Sequence, residues 1–250
     1  MKNSIFKPFY LVLIILILIW EQAAAGLNSL ILPSVGESLR ALHQIAVSGV
    51  LYSSFMITLR RTLIAYSLAV ITGVVLALLM HRFKYFKRSF RPLITMIQAT
   101  PPVVWIALAV IWFGVAEDLT PIFLIFIVSM PVIFVNLFQG IEDLNTELVE
   151  MAEAYSTPRL RIIKEIYFPA LLPALVSALS IAFAFAWKSS VFAEFIGSSS
   201  GIGYQLSRAN SMLATDSLFA WTIILLLFMI FVEYYLLEKL KARVSRWKND

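Results

Sequence analysis

Apolar residues fall in blocks along this chain, and the blocks are too long and continuous for the half-apolar helices or alternating strands of a soluble domain. With a helical rise of about 1.5 Å per residue and a hydrocarbon core of about 30 Å, they predict spanning helices at about 5–25, 56–80, 93–114, 119–140, 169–195 and 218–237. Between residues 26 and 55 the pattern is mixed, with Leu39, Leu42 and Ile45 at the spacing of a short amphipathic surface helix. Prolines interrupt the middle blocks, Pro101 and Pro102 in the third, Pro121 and Pro131 in the fourth. A proline inside the bilayer removes a backbone donor, so these helices are expected to face protein rather than lipid. The fold class expected is an all-α integral membrane protein, a single transmembrane domain over residues 1–250.

Charge orients the blocks. The second connection holds Arg82, Lys84, Lys87, Arg88 and Arg91 and the tail holds Lys239, Lys241, Arg243, Arg246 and Lys248, whereas the connections on the other side hold Arg40, Arg60, Arg61 and Arg208. Lys and Arg accumulate on the cytoplasmic side, so both termini are expected inside. The net charge of +5 is accounted for by this topology, and no nucleic-acid partner is expected. The first block, 9–20, follows Lys2 and Lys7 and precedes Ala23, Ala24 and Ala25, which is also the makeup of a cleavable signal. Its extension over residues 5–25 reaches spanning length, and a retained anchor is expected.

One long polar stretch lies between two very apolar blocks: residues 150–169, EMAEAYSTPRLRIIKEIYFP. Good helix formers run to Tyr155, Ser156 and Thr157 interrupt them, and Pro158 suits the first turn of a second helix with Thr157 as its cap. Leu160, Ile163 and Ile166 recur at helical spacing with Arg159, Arg161 and Lys164 between them, the mark of an amphipathic surface element, and Pro169 and Pro173 open the next span. The whole segment, about 142–168, reads as a helical hairpin at the membrane surface.

This hairpin resembles the cytoplasmic loop of the permease subunits of bacterial ABC importers, whose signature is E-A-A, three residues, G, nine residues, I-x-L-P. Glu150, Met151 and Ala152 fill the first triplet, Ser156 stands at the glycine, and Ile166, Tyr167, Phe168 and Pro169 close the pattern. Met151, Ser156 and Phe168 depart from it, and where the turn needs a positive φ serine tolerates it less well than glycine. Leu32-Pro33-Ser34, Arg61, the segment ending in Trp112-Phe113-Gly114, and Gly201-Ile202-Gly203-Tyr204 are similar to the branch that serves nitrate, sulfonate, taurine and thiamine-precursor importers.

Candidate chemistry is sparse. The chain has no cysteine, which excludes disulfides, thiol catalysis and Cys-ligated metals. His43 and His81 fall on opposite sides of the expected membrane, so no metal site is expected, and there is no G-x-x-x-x-G-K-[ST] loop to bind ATP. Gly197, Ser199 and Gly201 match the nucleophile-elbow pattern, but a membrane helix precedes them and no histidine partner is available, so no catalytic residue is assigned. Lys188 and Glu194 are the ionisable residues in or near the fifth block, where charge costs roughly 2.5–3.5 kcal/mol at a helix centre. Each needs an ion pair, an interface to snorkel to, or a place in a translocation pathway. Six residues apart on one helix, they point in different directions.

The resemblance implies a six-span subunit with both termini in the cytoplasm, sitting in the bacterial cytoplasmic membrane. It implies ATP-binding cassette ATPase subunits, an extracytoplasmic substrate-binding protein and a second copy of the chain as partners; the ATP sits on the partner, and the chain itself takes no cofactor. In such proteins the first short helix of the hairpin couples to a groove of the ATPase. Carried over residue by residue, Glu150, Met151, Ala152, Ala154, Tyr155, Ser156, Ile166 and Pro169 would do this, with small Ala152, Ala154 and Ser156 permitting close approach and Tyr155 as an anchor. Lys188 and Glu194 would line the path of a small anionic cargo of the sulfonate, taurine or nitrate kind. A thiamine-precursor pyrimidine is the alternative cargo. A stand-alone secondary transporter or channel is the alternative class, disfavoured by the hairpin and by the lack of a convincing internal repeat.

Overall fold

A chain in hydrocarbon has to satisfy its own backbone, and helix is the only regular structure among the described residues. The computed structural model describes residues 6–115, 118–144 and 146–237. In chain order the helices are α1 (Phe6–Ala25), α2 (Val35–Val47), α3 (Val50–Arg82), α4 (Lys84–Ala99), α5 (Pro102–Phe113), α6 (Leu119–Glu142), α7 (Thr146–Ala154), α8 (Arg159–Ile162), α9 (Phe168–Gly197), α10 (Ile202–Ser211) and α11 (Thr215–Phe231). A π-helical turn, Ile163–Tyr167, joins α8 to α9, and a second, Val232–Leu237, follows α11.

Four helical runs are long and apolar enough to cross a membrane: Val50–Arg82, Leu119–Glu142, Arg159–Gly197 and Thr215–Tyr235. The pair α4 and α5 makes a fifth if it counts as one span. The apolar stretch Leu11–Ala25 of α1 is shorter. The basic tail residues Lys239, Lys241, Arg243, Arg246 and Lys248 lie outside the described residues.

Three expectations from the sequence need correction. The block at 93–114 is not one straight span: α4 and α5 meet at 96°, with Thr100 and Pro101 extended between them. Two consecutive prolines remove two backbone donors, and each disfavours helix at the residue before it. The basic connection at 81–91 is not a loop, since α3 runs to Arg82 and α4 begins at Lys84, leaving Phe83 as the only break. The second span also begins earlier than 56. At 33 residues α3 is roughly 50 Å long at about 1.5 Å per residue, so it outreaches a hydrocarbon core of about 30 Å.

The core is built on close backbone approach. α6 packs against α3, α9, α5 and α4. α3 offers it buried Thr58, Thr62, Ala65, Ala69, Gly73 and Ala77, and α9 offers buried Ala178, Ala182, Ala186, Ser190 and Ala193, at steps of three or four residues. In lipid there is little hydrophobic drive between helices, so small residues that bring backbones together supply the dispersion contacts. A Cβ on Gly73 would lie 3.0 Å from Ile133 Cβ, and one on Gly140 would lie 2.5 Å from Ala174 Cβ. α6 ends beside the basic start of α4, where Glu142 pairs with Lys87. That end of the bundle also holds the hairpin, and is called the basic end below.

At the other end, α2 is held by a capping box in which Ser34 Oγ accepts from Glu37 N–H at 3.1 Å and Glu37 Oε2 accepts from Ser34 N–H at 2.9 Å. Those bonds hold the Glu37 carboxyl below its ordinary range. Buried Pro33 presents its carbonyl to Trp20 Nε1 at 2.9 Å. The packed face of α2 is Ser38, Ala41, Leu42 and Ile45, whereas Leu39 is exposed.

α10 closes on a left-handed residue. Leu213 has φ +54°, with its N–H donating to Asn210 O at 3.1 Å and the Ala214 N–H donating to Ala209 O at 2.9 Å. This closure favours glycine, and a side chain at positive φ costs about 1–2 kcal/mol. Leu213 is exposed and recovers little of that by packing. Leu213→Gly is therefore expected to stabilise the purified protein by about 0.5–1 kcal/mol after the entropy of glycine is subtracted. Thermal unfolding in detergent should show a later midpoint, and an earlier one would mean that the leucine side chain holds the turn.

Candidate functional site

The hairpin that opens the long helix to α9 is closed by the same device as α10. Ser156 has φ +54°, its N–H donates to Glu153 O at 2.9 Å, and the Thr157 N–H reaches back to Ala152 O at 3.0 Å. That pair of bonds is a Schellman closure, and it satisfies the last carbonyls of α7. Serine at the expected glycine thus adopts the left-handed conformation that favours glycine, at some cost. Thr157 does not cap the next helix: Pro158 holds the position before α8, with no side-chain cap bond.

From Arg159 the chain is helical without a break to Gly197, 39 residues. Pro169 lacks the N–H that an α-helix would return to residue 165, and the π turn Ile163–Tyr167 lies just before it. Pro169 therefore does not open a new helix; it sits in the first turn of α9 within a continuous rod. The rod is roughly 58 Å long at about 1.5 Å per residue, so the hairpin and the far end of the bundle belong to one element.

The side chains divide in a way that periodicity alone did not reveal. Ile162 is buried, and Leu160 and Ile163 of the expected amphipathic element are 82% and 54% exposed. On α7 and the turn residue that follows it, Leu148, Met151 and Tyr155 recur at i, i+3 and i+7, and all three are exposed, Tyr155 by 83%. Glu150, Ala154 and Ser156 are exposed, and Ile166 and Pro169 are half-buried. Ala152 is buried within the chain, so it does not present a small surface as expected. The hairpin therefore carries an apolar row with no partner among the described residues.

At the opposite end of the rod lies a buried charge cluster. Glu194 is fully buried, and its carboxylate takes Arg61 Nη1 at 3.0 Å, Thr58 Oγ1 at 2.7 Å and the Gly203 N–H at 3.1 Å. Arg61, 1% exposed, also donates to Asp118 Oδ1 at 2.7 Å, Ser198 Oγ at 3.0 Å, Ser200 O at 2.9 Å and Ser200 Oγ at 2.9 Å. Arg60 pairs with Asp118 from the surface. The two arginines balance the two carboxylates, and every edge of the buried guanidinium is occupied by protein. Arg61 is thus a brace between α3, α6, α9 and α10, with no free edge to receive an anion.

The glycines beside it are required by space. A Cβ on Gly201, whose φ is +99°, would fall 2.3 Å from Glu194 Cδ, and one on Gly203 would fall 2.2 Å from Val191 O. The G-x-S-x-G match is explained by this packing, and Ser199 is exposed in the turn between α9 and α10. Lys188 is exposed on α9, apart from the Glu194 cluster. Thr58, Asp118, Ser198 and Ser200 were missed as site residues. The available signal was depth, since Arg61, Asp118 and Glu194 all fall at the same end of expected spans.

Long apolar helices on a small-residue core, with a surface hairpin and an internal charge brace, define a multi-pass helical membrane protein. Residues 69–246 match the model of the family described as binding-protein-dependent transport system inner membrane component, and the chain belongs to that family. It is a permease of the ABC transporter class. It is 29% identical over 215 residues, 84% of this chain and 80% of the relative, to a putative ABC transporter permease of Methanocaldococcus jannaschii. It is 25% identical over 239 residues, 94% and 86% of the two chains, to a putative aliphatic sulfonates transport permease of Bacillus subtilis. The taurine transport system permease of Escherichia coli is 24% identical over 245 residues, covering 95% of this chain and 88% of that one. Among solved structures the fold is shared with an amino acid ABC transporter at a TM-score of 0.64 and 22% identity, over 82% of this chain and 97% of that chain. It is shared with the inward-facing MetNI methionine ABC transporter at 0.62 and 15%, over 81% and 97%.

The brace gives a direct expectation. Glu194→Ala leaves Arg61 buried with its main interior partner removed, a change of the kind that costs about 3–5 kcal/mol. Thermal unfolding should move sharply earlier, while Arg60→Ala, which removes only the surface pair, should cost about 1 kcal/mol or less. Equal effects of the two would show that the cluster is not a brace.

Proposed function

We propose that the chain is the six-span transmembrane subunit of an ATP-driven importer, with both termini in the cytoplasm. It works as a pair of copies with two ATP-binding subunits and an extracytoplasmic substrate-binding protein, in a bacterial cytoplasmic membrane. The basic end faces the cytoplasm in this reading, because Lys and Arg concentrate there. The hairpin docks on the ATPase through Leu148, Met151 and Tyr155, with Glu150, Ala154 and Ser156 at its edges and Ile166 and Pro169 carrying the load into α9. Ala152 supports the turn from inside.

The observation that carries this reading is the exposed apolar row of α7 at the end of the unbroken helical rod Arg159–Gly197. A short helix in water keeps such a row for a partner. Displacement of the hairpin by closure of the ATPase would move the whole rod, and with it the Glu194 end, where the Arg61 brace ties three other elements together. The chain carries no ATP and performs no bond chemistry; the energy comes from the partner.

The cargo proposed is a small anion of the sulfonate or taurine kind, supported by the names of the similar permeases. Lys188, exposed on α9, would offer that anion a positive charge along the pathway between two copies. Glu194 serves the brace, and its contribution to the pathway is to hold the wall of it. A thiamine-precursor pyrimidine as cargo would make Lys188 irrelevant to affinity.

Tyr155→Asp or Met151→Asp buries an unpaired charge at the proposed contact, and an anchor of this kind is worth about 2 kcal/mol or more. Co-purification of the ATP-binding subunit should fall by about tenfold or more, and transport with it, while membrane insertion is unchanged. Full assembly and transport by both variants would reject the hairpin as the coupling element. For orientation, cysteines at Lys84 and Met212 should be labelled from the cytoplasm and from outside respectively; no native cysteine interferes. Labelling of both from one side would contradict the six-span topology.

A further inference from the structure

The basic start of α4 has chemistry that coupling leaves unused. Lys84, Lys87, Arg88, Arg91 and Thr95 recur at i, i+3, i+4, i+7 and i+11, so they share one face of α4. With Pro92 they line a groove of about 430 Å³. Only one of these charges is neutralised within the described residues: Lys87, half-buried, pairs with Glu142 and lies over the Phe138 ring, 4.8 Å from its centre. Lys84, Arg88 and Arg91 are exposed and make no ion pair among the described residues.

The rest of the α4 surface says what kind of ligand carries the compensating charge. Phe86 and Phe90 stack at 4.1 Å on the inward side, with Phe86 packed against the core and Ile94 buried in it. Tyr85, Leu93 and Met96 are exposed by 89%, 50% and 64%. At about 100° per residue Tyr85 and Met96 form the other flank of the basic row, whereas Leu93 lies opposite that row and next to Phe86. The groove thus has a cationic floor near the ends of α3 and α6, with exposed Tyr85 and Met96 along one side of it. A free anion would use the floor and leave that side empty; a phospholipid uses both.

We propose that this groove binds the headgroup phosphate of an anionic phospholipid, with its acyl chains lying along Tyr85 and Met96. The inference rests on the reading that the basic end lies at the cytoplasmic leaflet. Clusters of Lys and Arg at the end of a spanning helix attract anionic headgroups, and here the hydrogen-bonding forks of Arg88 and Arg91 suit a phosphate. Because α4 leads directly into the bent α4–α5 pair that packs on α6, a bound lipid also fastens that bend at the bilayer surface.

The test is native mass spectrometry of the full chain released from nanodiscs of equal phosphatidylglycerol and phosphatidylcholine. The parent should retain phosphatidylglycerol preferentially. Replacing Lys84, Arg88 and Arg91 together by Gln should reduce that preference by on the order of tenfold or more, while Lys84→Arg with Arg88→Lys and Arg91→Lys should keep most of it. Arg40→Gln, at the other end, should change nothing. Retention by the triple Gln variant equal to the parent, or loss in the charge-conserving variant as complete as in the Gln variant, overturns the proposal. Displacement of the lipid from the parent by inorganic phosphate, but not by chloride at the same ionic strength, would assign the groove to a free anion and overturn it too. Loss of the lipid preference on adding the ATP-binding subunit would assign the basic row to that partner, again overturning it. The assay needs no transport, so failed assembly with the ATPase sinks the coupling reading alone, and failed lipid retention sinks this inference alone.

Discussion

Arg61 is a cation with almost no access to solvent, and the far end of the bundle is arranged to make that tolerable. Taking a guanidinium out of water costs several kcal/mol even after relaxation, so its donors have to be met one by one. Glu194 meets it from α9, Asp118 from just before α6, and Ser198 and Ser200 from the turn into α10. Thr58 does two tasks, donating to Glu194 at 2.7 Å and accepting the Ile202 N–H at 2.9 Å. The result ties the last turn of α9 to α3 and pins the first residues of α10, which is why Gly201 and Gly203 have no room for a side chain. Moving any one of these elements alone leaves a buried charge unpaired. The structure therefore favours motions in which they travel together.

Along the bundle the constraint is different in kind but similar in consequence. Small residues on α3 and α9 let both helices lie close against α6, so the three share backbone contacts rather than interdigitated long side chains. Packing of this sort resists local bending, and the polar brace at one end complements it. Departures from regular α-helix sit elsewhere: the proline break before α5, and the π turn just before Pro169. A helical rod that is firmly held at Glu194 and carries a hairpin at its other end is a mechanical link between two surfaces about one membrane thickness and more apart.

The apolar blocks were readable because hydrocarbon demands them, but their ends were not. α3 continues past the hydrocarbon at both ends, and polar residues such as Tyr52, Ser53 and Arg82 are as helical as the leucines between them. The Pro101-Pro102 break was visible as an interruption; its 96° angle depends on packing against α6, which no local pattern encodes. At the hairpin the spacing located the turn and singled out Ser156, and the positive φ is found there. The spacing of Leu160, Ile163 and Ile166 marked an amphipathic element, but a helical stripe does not say whether its partner is in the same chain, and Leu160 and Ile163 are exposed. The brace around Arg61 joins residues 57 and 133 positions apart, a separation over which only the shared depth of Arg61, Asp118 and Glu194 in their spans gave a clue.

In the function proposed above, the hairpin would receive motion and the rod would deliver it to the braced far end. The measurement that bears on this most directly is contact mapping in the native membrane, with a photo-crosslinking side chain placed at Tyr155 and, as a comparison, at Arg40. The account predicts that the probe at 155 joins the chain to its ATP-binding subunit and that the probe at 40 does not. Cross-links from 155 only to lipid or to its own chain, with the ATP-binding subunit captured from another site, would contradict it.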